Sequence, residues 1–193
     1  MKIQLQVIGS ALRAVAEEMG AVLVRSAFSA NIKERRDCST AIFAADGRMI
    51  AQAEHIPVHL GAMPEAVAAV RARDPRPGET FVVNDPFTGG THLPDVTLVS
   101  RTDAGFAVSR AHYADVGGAE PASLPAGSSD LYQEGLVIPP VPLTDEVVAI
   151  LLANMRNPEE RRGDLRAQLA AHRLAERRLA ELCERRGRDR VAA

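Results

Sequence analysis

The chain has 193 residues, 46% apolar and 25% charged, which suffices for one large domain or two small ones with a sizeable core and matches ordinary globular composition. A formal net charge of -2 offers no general attraction to nucleic acid or an anionic membrane, and no apolar run approaches the roughly 20 residues of a membrane-spanning helix. Two distant cysteines, Cys38 and Cys183, make no disulfide framework, and the N-terminal stretch lacks a signal-peptide core, so a cytoplasmic protein is expected.

Residues 4–29 read as a helix, because Ile8, Leu12, Val15, Met19 and Val22 recur at three- and four-residue spacing. From Asp37 to Ala53 the period changes, and two short apolar runs flank Asp46-Gly47, a dipeptide suited to a hairpin turn. A second helix is predicted over Met63–Arg73, with Pro64 in its first turn and the Pro75–Gly78 cluster ending it. Phe81-Val82-Val83 reads as a buried strand entering the polar loop NDPFTGGTHLPD. Val96–Ser100 and Phe106–Ala111 form two further strands joined by Thr102–Gly105.

Residues 115–142 read as loop, rich in Gly and Pro, and so long an irregular stretch points to function or to a partner packed on it. Thr144-Asp145 caps a short helix through Leu152, and Asn157-Pro158-Glu159-Glu160 begins a long one. On that last helix Leu165, Leu169, His172, Leu179 and Cys183 share a face. From Asn157 onward ten Arg stand against seven acids, an interspersed pattern that suits a solvated or subunit-facing helix better than one bound to nucleic acid. The expected fold class is α+β: a mostly antiparallel sheet of short strands, flanked by N- and C-terminal helices, with the strand order open.

Four of the five histidines, His55, His59, His92 and His112, fall between positions 55 and 112. Two of them open His-x-x-Asp pairs, His92–Asp95 and His112–Asp115. Imidazole and carboxylate together suit zinc, manganese or iron, and a three-residue ligand set leaves positions free for water or substrate. If the strands at 96–100 and 106–111 pair antiparallel, Asp95 and His112 lie at one end of the pair, with His92 in reach. The same residues could instead only hydrogen-bond a crowded loop.

The Gly-rich turn Asn84–Gly90 lacks the GxxxxGK[ST] pattern and any lysine, so it is no nucleotide loop; a role shaping the site beside His92 is expected. Cys38 has no local base and reads as a buried small residue. Arg35-Arg36-Asp37 could be an ion-pair cluster or hold an anionic substrate. Glu134 reads as a structural carboxylate, with a general base or metal neighbour as the alternative.

The segments ERRDCSTAIFAADGRMIAQAEHIPVHLGAMPEAV, FVVNDPFTGGTHLPDVTLVS, AHYADVGG, YQEGLVIPPVPL and NPEERRGDLRAQLAAHRLAERRL, in that order, resemble the hydantoinase B/oxoprolinase family, which includes acetone and acetophenone carboxylase large subunits. The resemblance covers nearly the whole chain. It implies a B-type subunit that hydrolyses a cyclic amide such as hydantoin or 5-oxoproline. The resemblance further implies that ATP is bound by a hydantoinase A-type ATPase partner in a hetero-oligomer and not by this chain. It also implies a divalent metal on His92, Asp95 and His112, with Asp115 and His59 orienting the ligands. Family subunits are longer, so residues 1–193 are expected to match the N-terminal part of a truncated domain. A ketone carboxylase subunit and an inactive partner-binding module remain the alternatives.

Overall fold

The computed structural model describes residues 2–54, 56, 59, 61–121 and 123–192. The opening helix, α1 (Lys2–Ser26), stops three residues earlier than the periodicity suggests, and a one-turn helix α2 (Ala30–Lys33) follows. The buried stripe of α1 is Ile8, Leu12, Val15, Ala16, Met19 and Leu23; Val22 is only half-buried, because a straight helix drifts past the seven-residue repeat.

Strands β1 (Cys38–Ala44) and β2 (Met49–Glu54) form the expected hairpin around Asp46-Gly47, with a bulge between Ile42 and Phe43. Next come α3 (Met63–Arg71), β3 (Thr80–Val83) and a 3-10 turn at Pro86–Thr88. The long central hairpin is β4 (Asp95–Thr102) with β5 (Gly105–His112). The Gly/Pro-rich stretch holds two elements that the sequence hides, the short helix α4 (Leu131–Glu134) and a two-residue edge strand, β6 (Val141–Pro142). Helices α5 (Asp145–Asn154), α6 (Pro158–Arg186) and α7 (Arg188–Ala192) complete the chain. Thr144 caps α5 through a hydrogen bond from the Val147 amide, whereas Asn157 leads into α6 without a side-chain cap.

The six strands run β2-β1-β5-β4-β3-β6, and every pairing is antiparallel. This is the α+β architecture expected, with one addition: helices cover both faces of the sheet. Cys38, Ile42, Val96, Leu98, Ala107 and Ala111 point to the face packed by α1 and α6. Their alternating neighbours Ala41, Phe43, Val99, Phe106 and Val108 meet Met63, Val67 and Val70 of α3. Each large apolar side chain so enclosed contributes about 1.5–3 kcal/mol. β1 and β5 are buried along their whole length for that reason.

The α3 face is apolar over only part of its length. Toward the other end of β1, β4 and β5 the same face carries Ser39, Asp95, Thr97, Arg110 and His112, and there the site is built. No helix among the described residues is long and apolar enough to cross a membrane.

Candidate metal centre

Asp95 and His112 are direct cross-strand partners at the end of the β4–β5 ladder, so pairing register alone brings carboxylate and imidazole together. His92 precedes β4 by a tight turn in which the Asp95 amide bonds the His92 carbonyl. His92 Nε2 lies 3.0 Å from Asp95 Oδ1 and 3.0 Å from His112 Nδ1, and His112 Nδ1 lies 3.1 Å from Asp95 Oδ1. Three potential ligand atoms therefore form a near-equilateral triangle. A proton satisfies one edge of such a triangle, whereas a cation shared by all three atoms satisfies every edge. Metal–ligand bonds of about 2.1 Å imply donor–donor edges of about 3.0–3.4 Å, so this donor set fits a divalent ion.

The other carboxylate oxygen is also held. Asp95 Oδ2 accepts a hydrogen bond from the Thr91 hydroxyl and lies 3.6 Å from His59 Nε2. His59 is 1% exposed, its Nδ1 is 3.0 Å from the Ser39 hydroxyl, and its Nε2 is 3.7 Å from Asp37 Oδ1. Burial pushes the His59 pKa down, against the charges of Asp95 and Asp37. Burial would raise the Asp95 pKa, but hydrogen bonds from His112, His92 and Thr91 hold it well below the usual carboxylate range. The bond to Asp95 raises the His92 pKa against its own desolvation, with added support from Asp95, Asp37 and Glu134 charges.

Beneath the triangle sits Arg110, fully buried in β5. Its Nε donates to Thr97 Oγ1 at 2.8 Å and its Nη2 to the Gly89 carbonyl at 2.6 Å, while Nη1 has no partner among the described residues. Burial pulls its pKa down and the Asp95 charge opposes this. The Gly-rich turn thus shapes the site through its backbone. Gly89 has φ +91°, and a Cβ there would stand 2.1 Å from the Ala66 amide nitrogen of α3, so only glycine fits.

Of the residues singled out from sequence, the structure gathers His59, His92, Asp95 and His112. His55 lies outside the described residues. Asp115, expected to orient the ligands, is engaged elsewhere: its carboxylate accepts from the Gly117 amide and from the Arg156 amide and guanidinium. Cys38 is buried, which pushes its thiol up to about 12, and it is no nucleophile. Arg35 and Arg36 are exposed, while Asp37 turns toward His59.

Sequence reasoning singled out Asp37 only within the Arg35–Asp37 cluster, and it missed Ser39, Thr91 and Arg110. Arg110 carried the clearest signal, a charged residue two positions from His112 in a strand whose other interior residues are apolar but for Ser109.

The hydantoinase B/oxoprolinase family model matches residues 1–193. An uncharacterized protein of Methanocaldococcus jannaschii is 39% identical over 96% of this chain and 36% of its own length. The 5-oxoprolinase of Dictyostelium discoideum is 35% identical over 99% of this chain and 16% of its own. Among solved structures, ATP-dependent caprolactamase from Pseudomonas jessenii superposes with a TM-score of 0.91 at 33% identity, over 99% of this chain and 35% of that one. Acetone carboxylase shares the fold, with a TM-score of 0.89 at 17% identity over 100% of this chain and 28% of that one. The chain thus spans little more than a third of these proteins at most.

Proposed function

The chain belongs to the hydantoinase B/oxoprolinase family, and from that premise we propose that it is the metal-bearing part of a B-type subunit that hydrolyses cyclic amides with an ATPase partner. The observation that carries this reading is the triangle of His92 Nε2, Asp95 Oδ1 and His112 Nδ1, with edges of 3.0–3.1 Å. The names of similar proteins, 5-oxoprolinase and caprolactamase subunit beta, supply the substrate class: a ring closed by an amide C–N bond. The similar caprolactamase of known structure is ATP-dependent, and this chain shows no lysine-bearing phosphate loop of its own. ATP is therefore assigned to an A-type partner.

A divalent ion at this centre supplies Lewis-acid polarisation and eases ionisation of water. His92, Asp95 and His112 would hold it. The Thr91 hydroxyl holds the second Asp95 oxygen, with His59 Nε2 3.6 Å from it, so the carboxylate presents Oδ1 to the two imidazoles. Ser39 fixes the His59 ring, and Arg110 ties the Gly89 loop to β5 under the site. His92, the least buried of the three ligands, marks the side open to substrate.

The test is reconstitution with an A-type ATPase and ATP, following ring opening of 5-oxoproline, hydantoin and caprolactam. Opening of one ring that requires ATP and is abolished by Asp95→Asn is expected. ATP-dependent carboxylation of a ketone, with no ring opened, would reject the hydrolase reading in favour of a carboxylase.

A further inference from the structure

Gly163 lies inside α6, where glycine weakens a helix relative to alanine, and what it admits there is the ring of Phe28. A Cβ on Gly163 would overlap that ring, standing 2.6 Å from Phe28 Cγ. The buried Asp164 carboxylate fixes the backbone beside it, accepting from the Phe28 amide at 2.8 Å and the Ser29 amide at 3.0 Å. Even so, the ring stays 69% exposed. An aromatic side chain left in water contributes little by burial within its own chain, yet here two residues of α6 hold it in one place.

Cations flank the ring. Between Arg25 and Arg36 the chain sets four basic residues, Arg25, Lys33, Arg35 and Arg36, against the single acid Glu34, a net of +3 within a chain of net charge -2. All four are exposed, and among the described residues none of their side chains has an ion pair or hydrogen bond. The acids in the first turn of α6 are engaged within that helix, Glu159 with Arg162 and Glu160 with Arg161. Backbone hydrogen bonds fold the basic segment against Phe28, from the Lys33 amide to the Ser29 carbonyl at 2.9 Å and from the Arg35 amide to the Ala30 carbonyl at 3.1 Å. The same segment runs into the metal centre. The Asp37 amide donates to the Asn31 carbonyl at 2.9 Å, the His112 amide donates to the Asp37 carbonyl at 3.0 Å, and Asp37 Oδ1 lies 3.7 Å from His59 Nε2.

We propose that Phe28 and these four cations are the docking surface for the ATPase partner, engaging an acidic face of it that offers an apolar pocket to the ring. This rests on the partner reading above. A fixed aromatic ring among arginines has the composition of an interface hot spot, and unpaired cations select a partner of opposite charge. A lipid surface would take up more than one large apolar side chain, and the others exposed on α1, Leu5 and Val7, lie roughly 30 Å away along the helix. A partner seated on Phe28 abuts the metal centre through the Asn31–Asp37 segment.

Surface plasmon resonance of the full chain against a purified A-type ATPase subunit reads affinity and association rate. Phe28→Ala is expected to weaken binding by about 30-fold or more, the scale of a hot spot. Gly163→Ala should weaken it as well, because its Cβ displaces the ring while alanine favours the helix, so the loss does not depend on a damaged fold. Lys33→Glu combined with Arg35→Glu should slow association by about tenfold or more, and added salt should slow the wild type. Every variant should keep the wild-type metal content, since none alters His92, Asp95 or His112. Ring variants that bind as tightly as wild type overturn the proposal, and so does association that ignores both salt and charge reversal. Binding of phosphatidylserine vesicles or duplex DNA in place of the subunit, lost in Phe28→Ala, overturns it by giving the surface another occupant. A wild type that holds metal but binds no ATPase subunit overturns the docking surface and the partner reading together, and leaves the metal centre standing.

Discussion

Asp95 divides its two oxygens between different tasks, and the residues on each side predict different outcomes. Oδ1 faces the imidazoles of His92 and His112, whereas Oδ2 faces Thr91 and His59. Replacing His59 by Gln removes an orienting group and no ligand, so metal affinity should weaken by about 10–100-fold without being abolished. Competition with a chelator measures this, and complete loss of metal would make His59 a ligand. Cys38 should resist thiol reagents until the chain unfolds, since burial both shields it and disfavours its thiolate. Rapid labelling of two thiols in the folded chain would contradict that. The two His-x-x-Asp pairs were legible in sequence, but their similarity misled: His92–Asp95 spans a tight turn into β4, while Asp115 lies past the end of β5 and pairs with Arg156. His59 showed no local signal of its place, because the contact that positions it, Ser39, belongs to β1.

The apolar pattern located α1 and the central strands and missed the elements held by tertiary contacts alone. The stripe on α1 was readable because one face meets a core, and β1, β4 and β5 were readable as short apolar runs because both of their faces are covered. β6 was not, since Val141-Pro142 is two residues long and owes its place to pairing with Phe81 and Val82 on the edge. Strand order was closed to sequence as well: β1 sits beside β5, across β2, α3, β3 and β4 in the chain. The buried Asn84 side chain, which joins the Leu93 loop to the Leu136 loop, is an element-scale device with a measurable weight. Asn84→Ala leaves the Leu93 and Leu136 carbonyls and the Ile138 amide without that partner, and should cost about 2–4 kcal/mol. Urea denaturation tests this, and a loss below about 0.5 kcal/mol would show that water replaces the amide.

Across the whole molecule, α6 ties the helical layer to the sheet through buried polar residues as well as apolar ones. Asp164 accepts from the Phe28 and Ser29 amides, Gln168 bonds Tyr113, Val96 and Ser109, and His172 bridges Ser100 and Ser109. Desolvation lowers the His172 pKa to about 3, so the native ring stays neutral where an unfolded one takes up a proton below pH about 6.5. Between those values the unfolded state binds the extra proton, and stability falls as pH drops, by at most about 1.4 kcal/mol per pH unit from this group. His172→Gln should flatten that slope, and an identical slope in the variant would assign acid sensitivity elsewhere. The layers so joined pack α6 on the β4–β5 ladder, and the register of that ladder pairs Asp95 with His112, the juxtaposition on which the proposed function depends. Metal content by mass spectrometry tests that dependence most directly, on folded wild type beside His92→Ala and Asp95→Ala. Close to one divalent ion per wild-type chain and none in either variant is expected, with circular dichroism unchanged. A folded wild type without metal, or variants that keep it, would contradict the assignment.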